Sequence, residues 1–215
     1  MAVAAKICGI NDPVAMRTAV DAGAAYVGLN FYTPSPRYVT PAQAAALAAL
    51  VPEGVTRVGL FVDPTDAEID AVLAETSLEL VQLHGHESVA RVAELKARTG
   101  VRAMKAISVA DETDIARADG YLDVADWLIF DAKPPKDMAN ALPGGNALSF
   151  EWRLLGGRTW AVPWMLAGGL NAGNVGDAVR LSGASVVDTS SGVEDEQGKK
   201  NPEKIRAFLA AVSSL

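Results

Sequence analysis

The sequence predicts a (β/α)₈ barrel, an α/β fold in which residues 1–215 form one domain. Eight short apolar runs alternate with segments of helical period, which is typical of parallel strands joined by helices. Eight such units occupy about 27 residues each, near the small end of the range for closed barrels. No long polar segment rich in Gly, Ser or Pro divides the chain. An open doubly wound sheet is the alternative, but no G-x-G-x-x-G motif follows the first run.

The predicted elements follow from apolar runs and from helix start and stop signals. The strands are 3–8, 25–31, 55–62, 78–83, 102–107, 127–130, 160–167 and 185–188. The helices are 12–22, 41–50, 66–75, 88–98, 111–118, 174–181 and 202–212, with a weak short helix at 150–155. Thr40-Pro41 and Asn201-Pro202 read as a cap followed by a proline in the first turn. Gly100 and Gly183 follow helical segments, where a left-handed residue is favoured.

Net charge and cysteine content limit the kinds of binding partner and metal site that we expect. The chain carries 26 acidic and 19 basic residues and a net charge of −7, which argues against nucleic acid or an anionic membrane as main partner. A small anion bound in a local pocket remains compatible with that charge. The single cysteine, Cys8, excludes an intramolecular disulfide and a cysteine-based metal cluster. With neither a signal-peptide pattern nor an 18-residue apolar run, we expect a cytoplasmic location.

Candidate functional residues gather at one end of the predicted barrel. Active sites of such barrels lie at the carboxyl ends of the strands. Those ends are polar or glycine-rich here: Lys6 to Gly9, Asn30 with the loop to Tyr38, Asp63, Gln82 to Gly85, Lys105, Asp131 to Lys133, Gly168-Gly169 and Asp188 to Gly192. The opposite ends of the strands show no such pattern, so the sequence predicts a catalytic site at the carboxyl ends.

Seven motifs at these ends together resemble one enzyme family. They are KICGI, SPRYVT, GLFVD, VQLHG-x-E, an Asp ending strand six, LAGGLN-x-x-NV, and VDTSSGVE followed by G-x-K. In this order, over essentially the whole chain, they resemble the phosphoribosylanthranilate isomerases of tryptophan biosynthesis. The resemblance implies a barrel that needs no cofactor. We also expect no metal, and a monomer or a homodimer, between which the sequence does not decide. The resemblance also implies an Amadori rearrangement of a phosphorylated small-molecule substrate, in which an aldosylamine becomes an aminoketose.

The resemblance implies that Cys8 is the general base and Asp131 the general acid. A cysteine base must be a thiolate, and Lys6 shares the face of the first strand with Cys8, from which it would lower the thiol pKa if the side chains meet. An acid at Asp131 needs a proton near neutral pH, which a desolvated pocket favours. The alternatives are a small buried hydrophobic role for Cys8 and an ion pair or helix cap for Asp131.

The strand ends predict a phosphate site, and the resemblance implies a role for Arg37. A phosphate site at neighbouring strand ends comprises Gly168, Gly169, Ser190, Ser191 and Gly192, whose residue types offer close backbone approach, amides and hydroxyls at a helix start. Arg37 holds the anthranilate carboxylate through its guanidinium fork, with a solvated loop charge as the alternative. His84 either lines the pocket for the aromatic ring or is structural. Asp188 either contacts the substrate or supports a loop.

Other lysines attract weaker hypotheses. A Schiff-base role for Lys105 or Lys133 is not supported by the surrounding motifs. Lys199 and Lys200 are expected to be solvated surface charges, although the family has a basic residue near there.

The loop after strand six departs from the family pattern. A Gly-Gly-x-Gly loop and a basic residue are usual, whereas this chain has Ala147 and Leu148 at the last two positions. The change is either neutral or alters contacts with phosphate.

Two other functions compete with the isomerase. One is the related sugar isomerisation of histidine biosynthesis, which in that family uses two Asp residues and which the cysteine of KICG disfavours. The other is a phosphate-binding barrel without catalysis, which would need neither Cys8 nor Asp131.

Overall fold

A closed barrel of eight parallel strands forms the molecule's centre, as the sequence predicts. The computed structural model describes residues 2–134 and 142–215. The strands are β1 (Ala4–Ile7), β2 (Tyr26–Asn30), β3 (Thr56–Phe61), β4 (Leu80–Leu83), β5 (Arg102–Val109), β6 (Trp127–Ala132), β7 (Trp164–Leu166) and β8 (Val186–Thr189). They lie in chain order around the barrel, and β8 closes it against β1.

Helices cover the outside of the barrel. They are α1 (Pro13–Asp21), α2 (Pro41–Ala48), α3 (Asp66–Glu75), α4 (Val89–Thr99), α5 (Glu112–Ala116), α6 (Val175–Ser182) and α7 (Pro202–Ser213). Their ends are fixed by local chemistry. The Thr40 hydroxyl accepts a hydrogen bond from the Gln43 amide while the Gln43 side chain accepts one from the Thr40 amide, a reciprocal cap that starts α2. Gly100 and Gly183 have φ of 70° and 77° and end α4 and α6.

The barrel interior has an apolar floor and a polar upper layer. The floor is built from buried side chains on several strands: Val58, Leu80, Met104, Ala106, Ile129, Met165, Ala167 and Val186. Because side chains two residues apart share a face of a strand, Lys6 on β1 and Gln82 on β4 point inward one step nearer the carboxyl ends. The alternation along the strands therefore places these polar side chains directly above the apolar floor.

Several element boundaries differ from the sequence prediction. β7 begins at Trp164 rather than at residue 160, because Pro163 has no amide to donate to a neighbouring strand. Helix five is only Glu112–Ala116 and continues as a 3₁₀ turn over Arg117–Tyr121. The weak helix at 150–155 is a 3₁₀ turn over Trp152–Leu155.

A small hairpin was not predicted. Its strands, β9 (Glu194–Glu196) and β10 (Lys199–Lys200), pair antiparallel after β8 and lie outside the barrel sheet. They are too short for a period of two to be visible in the sequence. Within residues 2–134 and 142–215, no helix has the length and hydropathy needed to cross a membrane.

Candidate active site

Lys6 lies at the centre of the polar layer and is fully buried. Its ammonium donates to Asp188 Oδ1 and to Gln82 Oε1, both at 2.9 Å. Lys6 and Asp188 are direct neighbours in the register of β1 and β8, so the barrel closure itself creates the pair. Burial lowers the pKa of Lys6, but attraction to Asp188 and Cys8 outweighs it, and the pKa lies above the ordinary lysine value. Lys6 is therefore a fixed positive charge.

Cys8 follows β1 and lines the cavity above Lys6. Burial raises the pKa of the Cys8 thiol, Lys6 lowers it, and burial prevails. Lys6 does lie close enough to lower the pKa of the Cys8 thiol, as considered from the sequence. This lowering is smaller than the rise in pKa that desolvation causes. The room for the sulfur comes from β2, since a Cβ on Gly28 would lie 2.9 Å from Cys8 Sγ.

His84 lies between Gln82, which belongs to the polar layer, and Asp131. A lysine ammonium only donates, so Gln82 Oε1 must face Lys6 and Gln82 Nε2 must face His84 Nδ1, 3.3 Å away. That contact makes Nδ1 the acceptor and leaves the proton on His84 Nε2. This nitrogen lies 3.4 Å from Asp131 Oδ2, while Asp131 Oδ1 accepts from the Ala132 amide at 2.8 Å. The 3.4 Å contact is not a hydrogen bond, so it is the Ala132 amide that orients the Asp131 carboxyl, and Gly144 packs against it.

Two adjoining cavities form one continuous site. The larger, of about 440 Å³, is lined by Cys8, Arg37, His84 and Asp131, with apolar walls from Leu60 and Val62. The smaller, of about 260 Å³, lies against the loops after β7 and β8. Four residues line both: Asp131, Gly145, Asp188 and Ser190. The site therefore joins a compartment with partly apolar walls to a more polar one.

The smaller cavity is surrounded by glycine and serine backbone. Gly168, Gly169, Ser190 and Ser191 line it, whereas the hydrogen of Gly192 is what permits the close approach of Leu170. Within residues 2–134 and 142–215, the amides of Gly168, Gly169, Ser191 and Gly192 donate to no other group. Three of these residues, Gly168, Gly169 and Ser191, line the small cavity, where a free amide can donate to an anion.

Arg37 lies between the larger cavity and the hairpin. It is buried, and its Nε and Nη2 donate to the two carboxylate oxygens of Glu194, each at 2.8 Å. Nη2 also donates to the Gly145 carbonyl at 3.1 Å. The guanidinium fork expected to receive a substrate carboxylate is therefore already occupied on one edge, because a buried cation requires a partner.

Four further lysines line neither cavity. Lys105 points outward from β5 and pairs with Glu87 at 2.7 Å, and Lys133 pairs with Asp114 at the same distance. The expectation of a solvated Lys200 is wrong: its side chain is fully buried and its Nζ lies 2.6 Å from Glu194 Oε1, because the hairpin folds it inward. Lys199 is exposed, as expected.

Sequence reasoning missed the roles of Gln82 and Glu194. Gln82 stands two residues before His84 and so shares its face, a signal that the strand assignment already contained. Glu194 belongs to VDTSSGVE, but nothing in the sequence places it 2.8 Å from Arg37. Within residues 2–134 and 142–215, no group of three or more His, Cys, Asp or Glu side chains is arranged to hold a metal ion.

The altered loop after β6 has a local backbone consequence. Ala147 adopts a φ of 58°, in the left-handed region that glycine enters without steric cost. The glycine usual in the family at this position would therefore be unstrained. Leu148 contacts the loop after β7 through its backbone, since a Cβ on Gly169 would lie 2.9 Å from the Leu148 carbonyl oxygen.

Comparison with known proteins agrees with this geometry. The family model for N-(5'-phosphoribosyl)anthranilate isomerase matches residues 5–211. The N-(5'-phosphoribosyl)anthranilate isomerase of Paramagnetospirillum magneticum is 56% identical over 211 residues, covering 98% of this chain and 97% of the relative.

Solved structures give the same result. Phosphoribosyl anthranilate isomerase from Thermotoga maritima matches with a TM-score of 0.88 and 34% identity, over 99% of this chain and 100% of that one. A phosphoribosyl anthranilate isomerase in complex with reduced 1-(o-carboxyphenylamino)-1-deoxyribulose 5-phosphate matches with a TM-score of 0.83 and 32% identity, at the same coverage. The chain therefore belongs to the phosphoribosylanthranilate isomerase family and is an isomerase.

Proposed function

We propose that this isomerase converts N-(5-phosphoribosyl)anthranilate to 1-(2-carboxyphenylamino)-1-deoxyribulose 5-phosphate, with Cys8 as general base and Asp131 as general acid. The observation that carries the proposal is that Cys8 and Asp131, from β1 and β6, line one cavity that continues into the glycine and serine loops after β7 and β8. The names of the relatives support the substrate. The step belongs to tryptophan biosynthesis, and we expect it in the cytoplasm.

The rearrangement is an internal redox exchange that needs only proton transfers. Asp131 donates a proton to the ribose ring oxygen, the ring C–O bond breaks, and the nitrogen lone pair forms an iminium at C1. The Cys8 thiolate then removes the proton from C2, and its electron pair forms the C1–C2 double bond of an enolamine. Protonation of C1 and loss of the C2 hydroxyl proton give the ketone. C1 is reduced and C2 oxidised, so the equation balances without a further reactant.

The ends of the substrate match the two cavities. The phosphate would accept hydrogen bonds from the free amides around Gly168, Gly169, Ser191 and Gly192. The ring would lie in the larger cavity against Leu60 and Val62, with its carboxylate towards Arg37. The buried Lys6–Asp188 pair lies beneath the ribose position and keeps a positive charge next to the thiolate that forms at Cys8.

Loss of turnover in two conservative variants tests the proposal. Freshly generated phosphoribosylanthranilate is fluorescent, so its consumption is followed directly with purified protein. Cys8→Ser and Asp131→Asn are each expected to lower kcat by roughly 10²- to 10⁴-fold, the usual contribution of a general acid or base.

A matched control is Asp177→Asn on the exposed face of α6, where the carboxylate pairs with Arg180 at the surface. This variant should keep wild-type turnover. If the folded wild-type protein does not accelerate the loss of fluorescence, phosphoribosylanthranilate is not its substrate. Full activity in either of the first two variants refutes the role of that residue.

A further inference from the structure

Glu194 joins two buried cations outside the catalytic pair. Its Oε1 accepts from Arg37 Nε at 2.8 Å and from Lys200 Nζ at 2.6 Å, and its Oε2 accepts from Arg37 Nη2 at 2.8 Å. The side chains of Glu194, Arg37 and Lys200 are 4%, 3% and 0% exposed. One carboxylate between two cations leaves the cluster with an excess positive charge, and removing it would leave both cations buried and unpaired.

The pairing determines how Arg37 faces the larger cavity. Its Nε–Nη2 edge is used by Glu194, and the second proton of Nη2 goes to the Gly145 carbonyl. For Nη1, no acceptor is present within residues 2–134 and 142–215. A substrate carboxylate therefore meets Arg37 at Nη1, and the nitrogen offered is selected by Glu194 rather than by Arg37 itself.

Lys200, the second cation, links the Glu194 carboxylate to Ser190 in the wall of the smaller cavity. Lys200 Nζ donates to the Ser190 carbonyl at 2.9 Å and to its hydroxyl at 3.2 Å. The Ser190 hydroxyl in turn donates to the Cys8 carbonyl at 3.1 Å. Ser190 begins the loop whose amides face the proposed phosphate site. A chain of short contacts therefore runs from Arg37 through Glu194 and Lys200 to that loop.

We propose that Glu194 is a positioning residue that holds both anion subsites, aiming Arg37 at the carboxylate end of the substrate and, through Lys200, fixing the Ser190 loop at the phosphate end. The inference rests on the proposed function for the identity of the two anions. It predicts that one substitution, at a residue that touches neither end, weakens binding at both.

Steady-state kinetics give the first test. Glu194→Gln keeps the shape of the side chain and removes its charge, so KM should rise by roughly tenfold or more while kcat changes much less, the pattern expected for lost binding. Glu194→Asp should recover part of the affinity. The matched control, Glu196→Gln, lies on the same hairpin but is exposed and pairs only with exposed Lys199, so its KM should stay at the wild-type value.

Binding of substrate fragments separates the two ends without turnover. Anthranilate and inorganic phosphate are titrated separately by calorimetry, with circular dichroism to verify folding. Glu194→Gln should weaken both. Lys200→Met leaves the Arg37–Glu194 pair intact, so it should fold and should weaken phosphate while retaining anthranilate.

The outcomes distinguish the two proposals. Unchanged affinity for both fragments in Glu194→Gln, or unchanged phosphate affinity in Lys200→Met, overturns the role of Glu194. If Glu194→Gln does not fold, Lys200→Met alone decides the link to the phosphate loop. A wild-type protein that binds both fragments but does not isomerise the substrate refutes the proposed function, while the same titrations still decide the role of Glu194.

Discussion

At the scale of single residues, the ionisation of Cys8 is governed by burial more than by its charged neighbour. The thiol lies in a cavity wall with 4% of its surface exposed, and desolvation raises its pKa although Lys6 acts in the opposite direction. The thiolate therefore becomes populated only at a higher pH than for a free cysteine. A proposed base of this kind has its greatest activity on the alkaline side.

Alkylation of Cys8 measures that shift directly, because the chain has a single cysteine. The rate of modification by iodoacetamide should rise with pH and reach its midpoint above the ordinary thiol pKa of about 8.5. The rising limb of kcat/KM against pH should have the same midpoint, since both report the thiolate of the free enzyme.

The denatured chain serves as the control, because it carries the same cysteine without burial. Its midpoint should lie at the ordinary value. A folded protein whose midpoint equals or falls below that of the denatured chain would contradict the balance between burial and Lys6 described above.

Among the loops and other elements, the turn after β8 shows how closely backbone segments approach around the smaller cavity. A Cβ on Gly192 would lie 1.9 Å from the Leu170 carbonyl oxygen and 2.9 Å from Thr189 Oγ1. The first contact is with backbone and cannot be relieved by rotation of a side chain. Glycine at this position is thus a requirement for bringing the loops after β7 and β8 together.

Gly192→Ala should therefore separate the two loops and weaken substrate binding at the proposed phosphate site. We expect KM to rise by roughly tenfold or more and the melting temperature to fall, since overpacking a fitted contact is destabilising. Gly176→Ala in α6 is the matched control: its Cβ would lie 3.6 Å from the nearest atom, at the tip of Leu215, and alanine favours a helix. Wild-type KM in Gly192→Ala would contradict the role of this contact.

For the whole molecule, the apolar floor supports the polar layer. Ile129 is fully buried in the floor, and Asp131 follows two residues later on the same face of β6. A void under this position would remove packing from the barrel centre without changing any group proposed to react.

Ile129→Ala is expected to lower the free energy of unfolding by about 2–5 kcal/mol, the usual result of truncating a buried large side chain. Denaturant unfolding measures the change. Val14→Ala, at a position 57% exposed, should change the stability by less than about 0.5 kcal/mol. Similar stabilities for the two variants would show that the floor is not tightly packed.

Much of this architecture can be predicted from the sequence, because all eight strands of the barrel run in the same direction. Parallel strands bring their carboxyl ends to one side, so Cys8, His84, Asp131 and Asp188 could be assigned to one site from the strand pattern and the motifs. Their pairing could not be predicted, since it depends on register across strands distant in the chain. Lys200 is the clearest failure: two consecutive lysines resemble surface charge, and only the fold of the hairpin separates exposed Lys199 from its buried neighbour.

The pairing of Lys6 with Asp188 has a consequence for how the protein is made. The two residues are 182 positions apart, the lysine in the first strand of the barrel and the carboxylate in the eighth. On the ribosome, Lys6 is therefore synthesised long before its carboxylate partner. Desolvating an unpaired ammonium is costly, so the interior around Lys6 stays hydrated in the nascent chain. The Lys6–Asp188 pair therefore forms only after β8 has been synthesised.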